Sequence, residues 1–218
     1  MPDSSRRTPN TWRRWLTTSL VAVAAAALII TGTTMVTTSP EGATDLEGNA
    51  VELDPGTTPD PAILEKMNPV DDVGDRFVVP SVGLNVPLGS LTMVDGDITP
   101  PGFTSAYTVR NLGVSPDDAS EGTVFVVMHS LRGGGVGPGN ALIDVDAERA
   151  SVEPGAQVSI GELTYTITGD MAITKAAIQS EASVWKNTSG RLIIVTCLQR
   201  PEGGPSHENI VITAQLNP

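Results

Sequence analysis

Apolar and polar positions divide this chain into three stretches of different texture. From Trp15 to Val36, "WLTTSLVAVAAAALIITGTTMV", 22 residues carry no charge. A helix rising ~1.5 Å per residue needs about 20 residues to cross a bilayer core, so this run predicts a transmembrane helix. Residues 37–71 are rich in Pro, Gly, Thr and acid, with little apolar periodicity, and read as a linker. Within it "DPAILEKM" predicts a short helix with Asp60 as N-cap and Pro61 in the first turn. From Asp72 to Pro218 short apolar runs alternate with Gly, Pro, Asn and Asp. "DRFVVPSVGLNVPLG" holds two β-like runs split by Pro80 and Gly83. "EGTVFVVMHS", "ALIDVD", "AQVSIGELTYTITGDMAITK", "RLIIVTC" and "NIVITAQL" follow. Gly161-Glu162 lies between two alternating runs and predicts a tight hairpin. "QSEASVWKNTSG" reads as a short helix or an irregular crossing. At least seven close-spaced strands with few helices predict an all-β, mostly antiparallel sandwich or barrel.

Charge then orients the chain. Arg6, Arg7, Arg13 and Arg14 precede the apolar run and no base follows it closely. That asymmetry places residues 1–14 in the cytoplasm and everything after residue 36 outside. An uncleaved signal anchor over 15–36 is favoured over a cleaved signal peptide, whose apolar region spans ~7–15 residues before an A-x-A-like site. "TGTTMVTTSP" offers no clean site of that kind. The exported part keeps 24 of the 25 acids and 9 of the 13 bases, a net charge of −15. Nucleic acid and anionic surfaces need basic patches, so neither is expected as a partner. Aromatics are only 4% against 39% hydrophobic residues, so the core is built from Val, Ile, Leu and Ala. The single cysteine forms no internal disulfide, and with no CxxC or Cys/His cluster neither a zinc site nor a haem attachment is expected.

Two apolar runs end in reactive side chains: "TVFVVMHS" delivers His129 and "RLIIVTC" delivers Cys197. Each is apolar on both faces, which predicts central strands. Two such strands ending at one rim bring their last residues together. A thiol with a pKa of ~8.5 is only slightly ionised at neutral pH; a nearby imidazole raises the reactive fraction. The imidazole can then protonate a leaving amine. Backbone N–H groups around Thr196 and Cys197 are candidate oxyanion donors. Taken alone, the cysteine reads more readily as a small buried hydrophobe, and the histidine as a rim residue.

Together, and in this order, the pieces resemble the sortase family. The resemblance covers roughly Asp75 to Leu216. "FVVPSVGLNVPLG" is similar to the family's opening strands, "GTVFVVMHS" with "GGGVGPGNAL" to its His strand and loop, and "VEPGAQVSI" to a following turn. "RLIIVTC" resembles the nucleophile strand, usually Leu-x-Thr-Cys, and "ENIVITAQL" the last strand. The Gly-rich loop and the alanine-rich, lysine-poor composition lean toward actinobacterial class E or F members.

The resemblance implies a closed β-barrel of about seven to eight strands, over 72–218, behind a membrane anchor. It implies a cysteine transpeptidase that cleaves a Thr–Gly bond in an LPxTG- or LAxTG-like sorting signal, with Cys197 as nucleophile and His129 as acid/base. The partners would be surface proteins bearing a C-terminal sorting signal and a cell-wall or peptidoglycan-precursor amine, with no cofactor or metal. The family's arginine at the start of the last strand is missing: "GPSHENIVIT" offers His207 and Asn209 instead. Arg200 is the first alternative donor and Arg132 the second; Thr196, Arg132, His207 and Asn209 are candidate substrate-binding residues. Two other readings stay open. One is a sortase-like domain that binds peptide or wall without turnover; the other is an unrelated anchored β-domain with a buried thiol.

Overall fold

A computed structural model describes residues 43–51 and 60–218. The expected cytoplasmic segment 1–14, the expected anchor 15–36 and residues 37–42 and 52–59 of the linker lie outside the described residues. Among the described residues no helix is long and apolar enough to cross a membrane.

Eight strands close into a barrel. β1 (Arg76–Val79) and β2 (Leu84–Leu91) form an antiparallel pair around a 3-10 turn, Pro80–Val82. Gly83 closes that turn at φ +67°, a conformation glycine adopts without cost. β3 (Ala106–Val109) and β4 (Thr123–Val127) follow; then β5 (Ile143–Asp144) and β6 (Arg149–Ala150) make a separate two-stranded ribbon. β7 (Gln157–Ile160) and β8 (Leu163–Thr174) flank Gly161-Glu162 as a two-residue hairpin, with Ile160 opposite Leu163. β9 (Arg191–Leu198) and β10 (Glu208–Leu216) complete the set. The order is β1-β2-β3-β4-β9-β10-β8-β7, and β7 pairs back onto β1. All contacts are antiparallel except β2–β3 and β4–β9.

Strand alternation sorts the core into two layers. On β4 and β9, Val124, Val126, Leu192, Ile194 and Leu198 face the barrel interior, as does Met128 just past β4, with Tyr165, Ile210 and Ile212. Phe125, Val127, Ile193 and Val195 belong to a second cluster on the outer face. That face is covered by α2 (Lys175–Ile178) and α3 (Ala182–Trp185), which follow α1 (Pro61–Met67) in chain order. The Trp185 ring stacks on Phe125 at 5.9 Å, and its indole N–H donates to the Ile178 carbonyl at 2.6 Å. Arg191 fixes the cover further by donating to the carbonyls of Ser183 (2.7 Å), Val184 (3.0 Å) and Lys186. Both strands are therefore apolar on both faces because one face fills the barrel and the other lies under the cover.

Part of the expected linker is tied to the barrel. α1 has Asp60 as its N-cap, accepting from the Ala62 N–H at 2.8 Å. Met67 is buried, its carbonyl accepts from the Thr92 N–H, and Val70 bridges Ser90. Upstream, the buried Asp45 carboxylate accepts from the N–H of Val136 at 3.0 Å, and Leu46 N–H donates to the Val136 carbonyl at 2.9 Å. The N–H of Val136, with those of Asn49 and Glu47, holds the Asp45 carboxyl below the usual range. Segments 43–51 and 60–71 thus pack on the folded body.

Candidate active site

The parallel pairing of β4 with β9 sets the centre of the site. Val127 stands opposite Val195, and Met128 N–H donates to the Val195 carbonyl at 3.2 Å, so the strands run together past the ladder. His129 and Cys197 are each two residues beyond that pair, on the outer-face parity of Val127 and Val195. On the other side of β9, β10 puts Asn209 directly opposite Cys197. His129, Cys197 and Asn209 line one cavity of about 370 Å³. Ile98, Pro100, Val127, Ile178, Trp185 and Val195 give it apolar walls, and Lys175 and Asp97 give it one charge of each sign. The volume suits a few residues of a peptide.

Hydrogen bonds join the two strand ends. The Ser130 hydroxyl donates to the Cys197 carbonyl at 2.5 Å. The Gln199 amide donates to both the carbonyl and the hydroxyl of Ser130 at 2.9 Å. The glycine-rich loop after His129 is closed by Asn140, which accepts from Leu131 N–H at 2.7 Å and Gly137 N–H at 2.8 Å. Gly139 N–H then donates to the His129 carbonyl at 2.8 Å.

His129 is half-buried, and its ring lies 4.8 Å from that of Phe103. Its Nε2 is 2.8 Å from the Pro100 carbonyl oxygen. A carbonyl only accepts, so Nε2 is assigned the proton and Nδ1 carries the lone pair. Burial lowers the imidazole pKa and the Lys175 charge pushes the same way, against the Pro100 hydrogen bond. The ring is thus neutral at neutral pH, ready to accept a proton. Cys197 is half-buried and unpaired.

The other candidates separate. Thr196 lines the same cavity, but its hydroxyl is buried with no hydrogen-bond partner, on the interior-facing parity of β9. Arg200 points elsewhere: it donates to Nε2 of His207 at 3.0 Å and to Glu202, and both Arg200 and His207 line a second cavity of about 230 Å³. Arg132 lines a third, beside Asn49–Val51 and Gly133–Gly135. Neither arginine nor His207 lines the cavity of Cys197, so the cation there is one that reading the sequence had missed. Lys175 follows β8, and no sequence spacing links it to Cys197; only the β8–β10–β9 register does. Ser130 and Gln199 lie next to His129 and two residues from Cys197, but that they join the two strand ends shows only in the fold.

No protein-family model matches the chain, and no curated protein matches it. Among solved structures, the chain is similar to sortase A of Listeria monocytogenes at 22% identity and a TM-score of 0.47, over 68% of this chain and 89% of that one. It is similar to sortase C-1 of Actinomyces oris at 14% identity and a TM-score of 0.47, over 72% and 80%. It is similar to the sortase D5 transpeptidase of Clostridium perfringens at 12% identity and a TM-score of 0.45, over 66% and 78%.

Proposed function

We propose that this chain is a cysteine transpeptidase of the sortase type, of the actinobacterial class E or F kind. The observation that carries the reading is the shared cavity of His129 and Cys197 at the ends of two parallel neighbouring strands. His129 takes the thiol proton and the Cys197 sulfur attacks the Thr–Gly carbonyl of an LPxTG- or LAxTG-like sorting signal. The tetrahedral adduct collapses, the C–N bond breaks, and His129 returns the proton to the leaving amine. A cell-wall or peptidoglycan-precursor amine then displaces the thioester and frees Cys197. The clients are surface proteins carrying the signal at their C-terminus. Residues 15–36 anchor the enzyme in the membrane with the barrel outside, where both substrates are found.

The test is recovery of a peptide thioester on Cys197 after mixing the protein with labelled LPxTG and LAxTG peptides. An adduct on the parent protein and none on Cys197→Ala is the expected result. If iodoacetamide labels Cys197 but no peptide ever does, the transpeptidase reading is wrong. One observation favours a second reading, a peptide- or wall-binding domain without turnover: among the described residues no arginine lines the cavity. Saturable peptide binding with no adduct would support it.

A further inference from the structure

Attack of a sulfur on an amide carbonyl moves negative charge onto the carbonyl oxygen. Donors already in place at that oxygen are typically the largest single contribution to such catalysis. Among the described residues, the cavity of His129 and Cys197 has one cationic side chain in its lining, Lys175. The sheet register carries it there: Cys197 faces Asn209, Asn209 faces Ile173, and Lys175 lies two residues further along the same segment. The Lys175 N–H donates to the His207 carbonyl at 2.9 Å, which keeps its backbone alongside the start of β10. Among the described residues no carboxylate forms an ion pair with its ammonium, whereas Arg200 is engaged by Glu202 outside this cavity.

We propose that Lys175, with the Asn209 side-chain amide beside it, holds the oxygen of the scissile carbonyl while Cys197 is acylated. The inference rests on the transpeptidase reading. In the step, the S–C bond forms and the carbonyl π pair moves to oxygen, where the Lys175 ammonium and the Asn209 N–H donate hydrogen bonds without giving up a proton. On collapse the pair returns, the C–N bond breaks, and the amine leaves with the proton that His129 had taken from the thiol. Asp97, the carboxylate in the same lining, is on an exposed turn and takes no part in holding the oxygen.

The test compares two reactions of Cys197 in the full-length protein. Peptide thioacylation passes through an oxyanion; alkylation by iodoacetamide does not. Lys175→Met should slow single-turnover thioacylation by about 10²–10³-fold, the usual effect of losing one such donor. Its alkylation, read as the plateau rate at high pH so that the ionised fraction of the thiol does not enter, should change by no more than about threefold, since the substitution leaves the attacking atom in place. Lys175→Arg keeps the charge with a different donor geometry and should recover at least about a tenth of the lost rate. Lys175 is exposed, so all variants should fold, which the melting temperature checks. Thioacylation within about twofold of the parent in Lys175→Met overturns the proposal. So does an equal loss in both reactions, which would put Lys175 at work on the thiol. An equal loss of thioacylation in Asp97→Asn overturns it too, in favour of an ion pair. If the parent protein alkylates but never forms a thioester, the transpeptidase reading fails and this inference with it.

Discussion

Gly139→Ala should damage the stability and the chemistry of this protein together. Gly139 lies in the 3-10 turn Pro138–Leu142, between the ends of the strands that carry His129 and Cys197. A Cβ there would come within 2.0 Å of the Thr196 hydroxyl oxygen, 2.9 Å of the Thr196 Cβ and 2.9 Å of the His129 carbonyl oxygen. Real Cβ atoms essentially never approach below 3.0 Å, so something must move. All three obstacles lie at the two strand ends: Thr196 is 3% exposed, and the His129 carbonyl is already used by the Gly139 N–H. The turn itself must therefore lift, losing that hydrogen bond. Overpacking of this kind costs about 1–3 kcal/mol, and each kcal/mol lowers the melting temperature of a domain of this size by about 2–4 °C. Thermal unfolding should show a loss of roughly 2–12 °C, with slower thioacylation because His129 shifts. Thr196→Ala removes the nearest clashing atom, a hydroxyl that has no partner to lose. The double variant should thus be more stable than the sum of the single changes by about 0.5–3 kcal/mol, the range expected for residues in contact. A melting temperature within about 1 °C of the parent, or strict additivity, would refute this steric account.

Cys197→Ala should abolish the peptide adduct while keeping the fold, because Cys197 is half-buried at a cavity rim; a large thermal destabilisation would make it a core atom instead. Ser130→Ala removes the hydroxyl that donates to the Cys197 carbonyl and accepts from Gln199, and should cost about 1–3 kcal/mol with slower thioacylation; unchanged melting and rate would strip Ser130 of that role. Burial holds the His129 pKa below its unfolded value of 6.5. As the pH falls through 6.5 the unfolded chain therefore binds its proton first, and stability declines until the folded pKa is passed. Above that window His129 contributes no pH dependence. Unfolding free energy in His129→Gln should accordingly fall less steeply below about pH 6.5 than in the parent, and parallel curves would contradict the argument.

The features that could be read from the sequence are those whose causes lie within a few residues. Pro80 and Gly83 break one apolar run into two strands because proline removes a donor and glycine admits the left-handed turn. Gly161-Glu162 makes a hairpin, and Asp60 caps α1, for reasons equally local. The double-sided apolar character of "TVFVVM" and "RLIIVT" likewise follows from burial on both faces. It does not say what buries the outer one; that is the short helical cover around Ile178, Val184 and Trp185, which has little periodicity of its own. Residues 43–51 read as linker because their composition is polar, and their anchor is visible only in the fold: Asp45 meets Val136 91 residues away.

The charge at the site shows the same division more sharply. A search by sequence distance from Cys197 finds Arg200, three residues on, and the fold sends that side chain to His207 and Glu202. Strand register works by a different measure. Asn209 is twelve residues from Cys197 and directly opposite it; Ile173 is a further thirty-six residues back and directly opposite Asn209. A cation two positions beyond Ile173 thus reaches the thiol's cavity although 22 residues of chain separate Lys175 from Cys197. In a closed barrel the residue beside a strand end is set by which strands neighbour it, and chain distance carries little of that information. The start of the last strand, where the resemblance calls for an arginine, offers Asn209 opposite Cys197, with hydrogen-bonding capacity and no charge, and the continuation of the neighbouring strand puts Lys175 in the same cavity lining. Splitting the two properties between two residues keeps a positive donor in the cavity even though the motif that would announce it is absent.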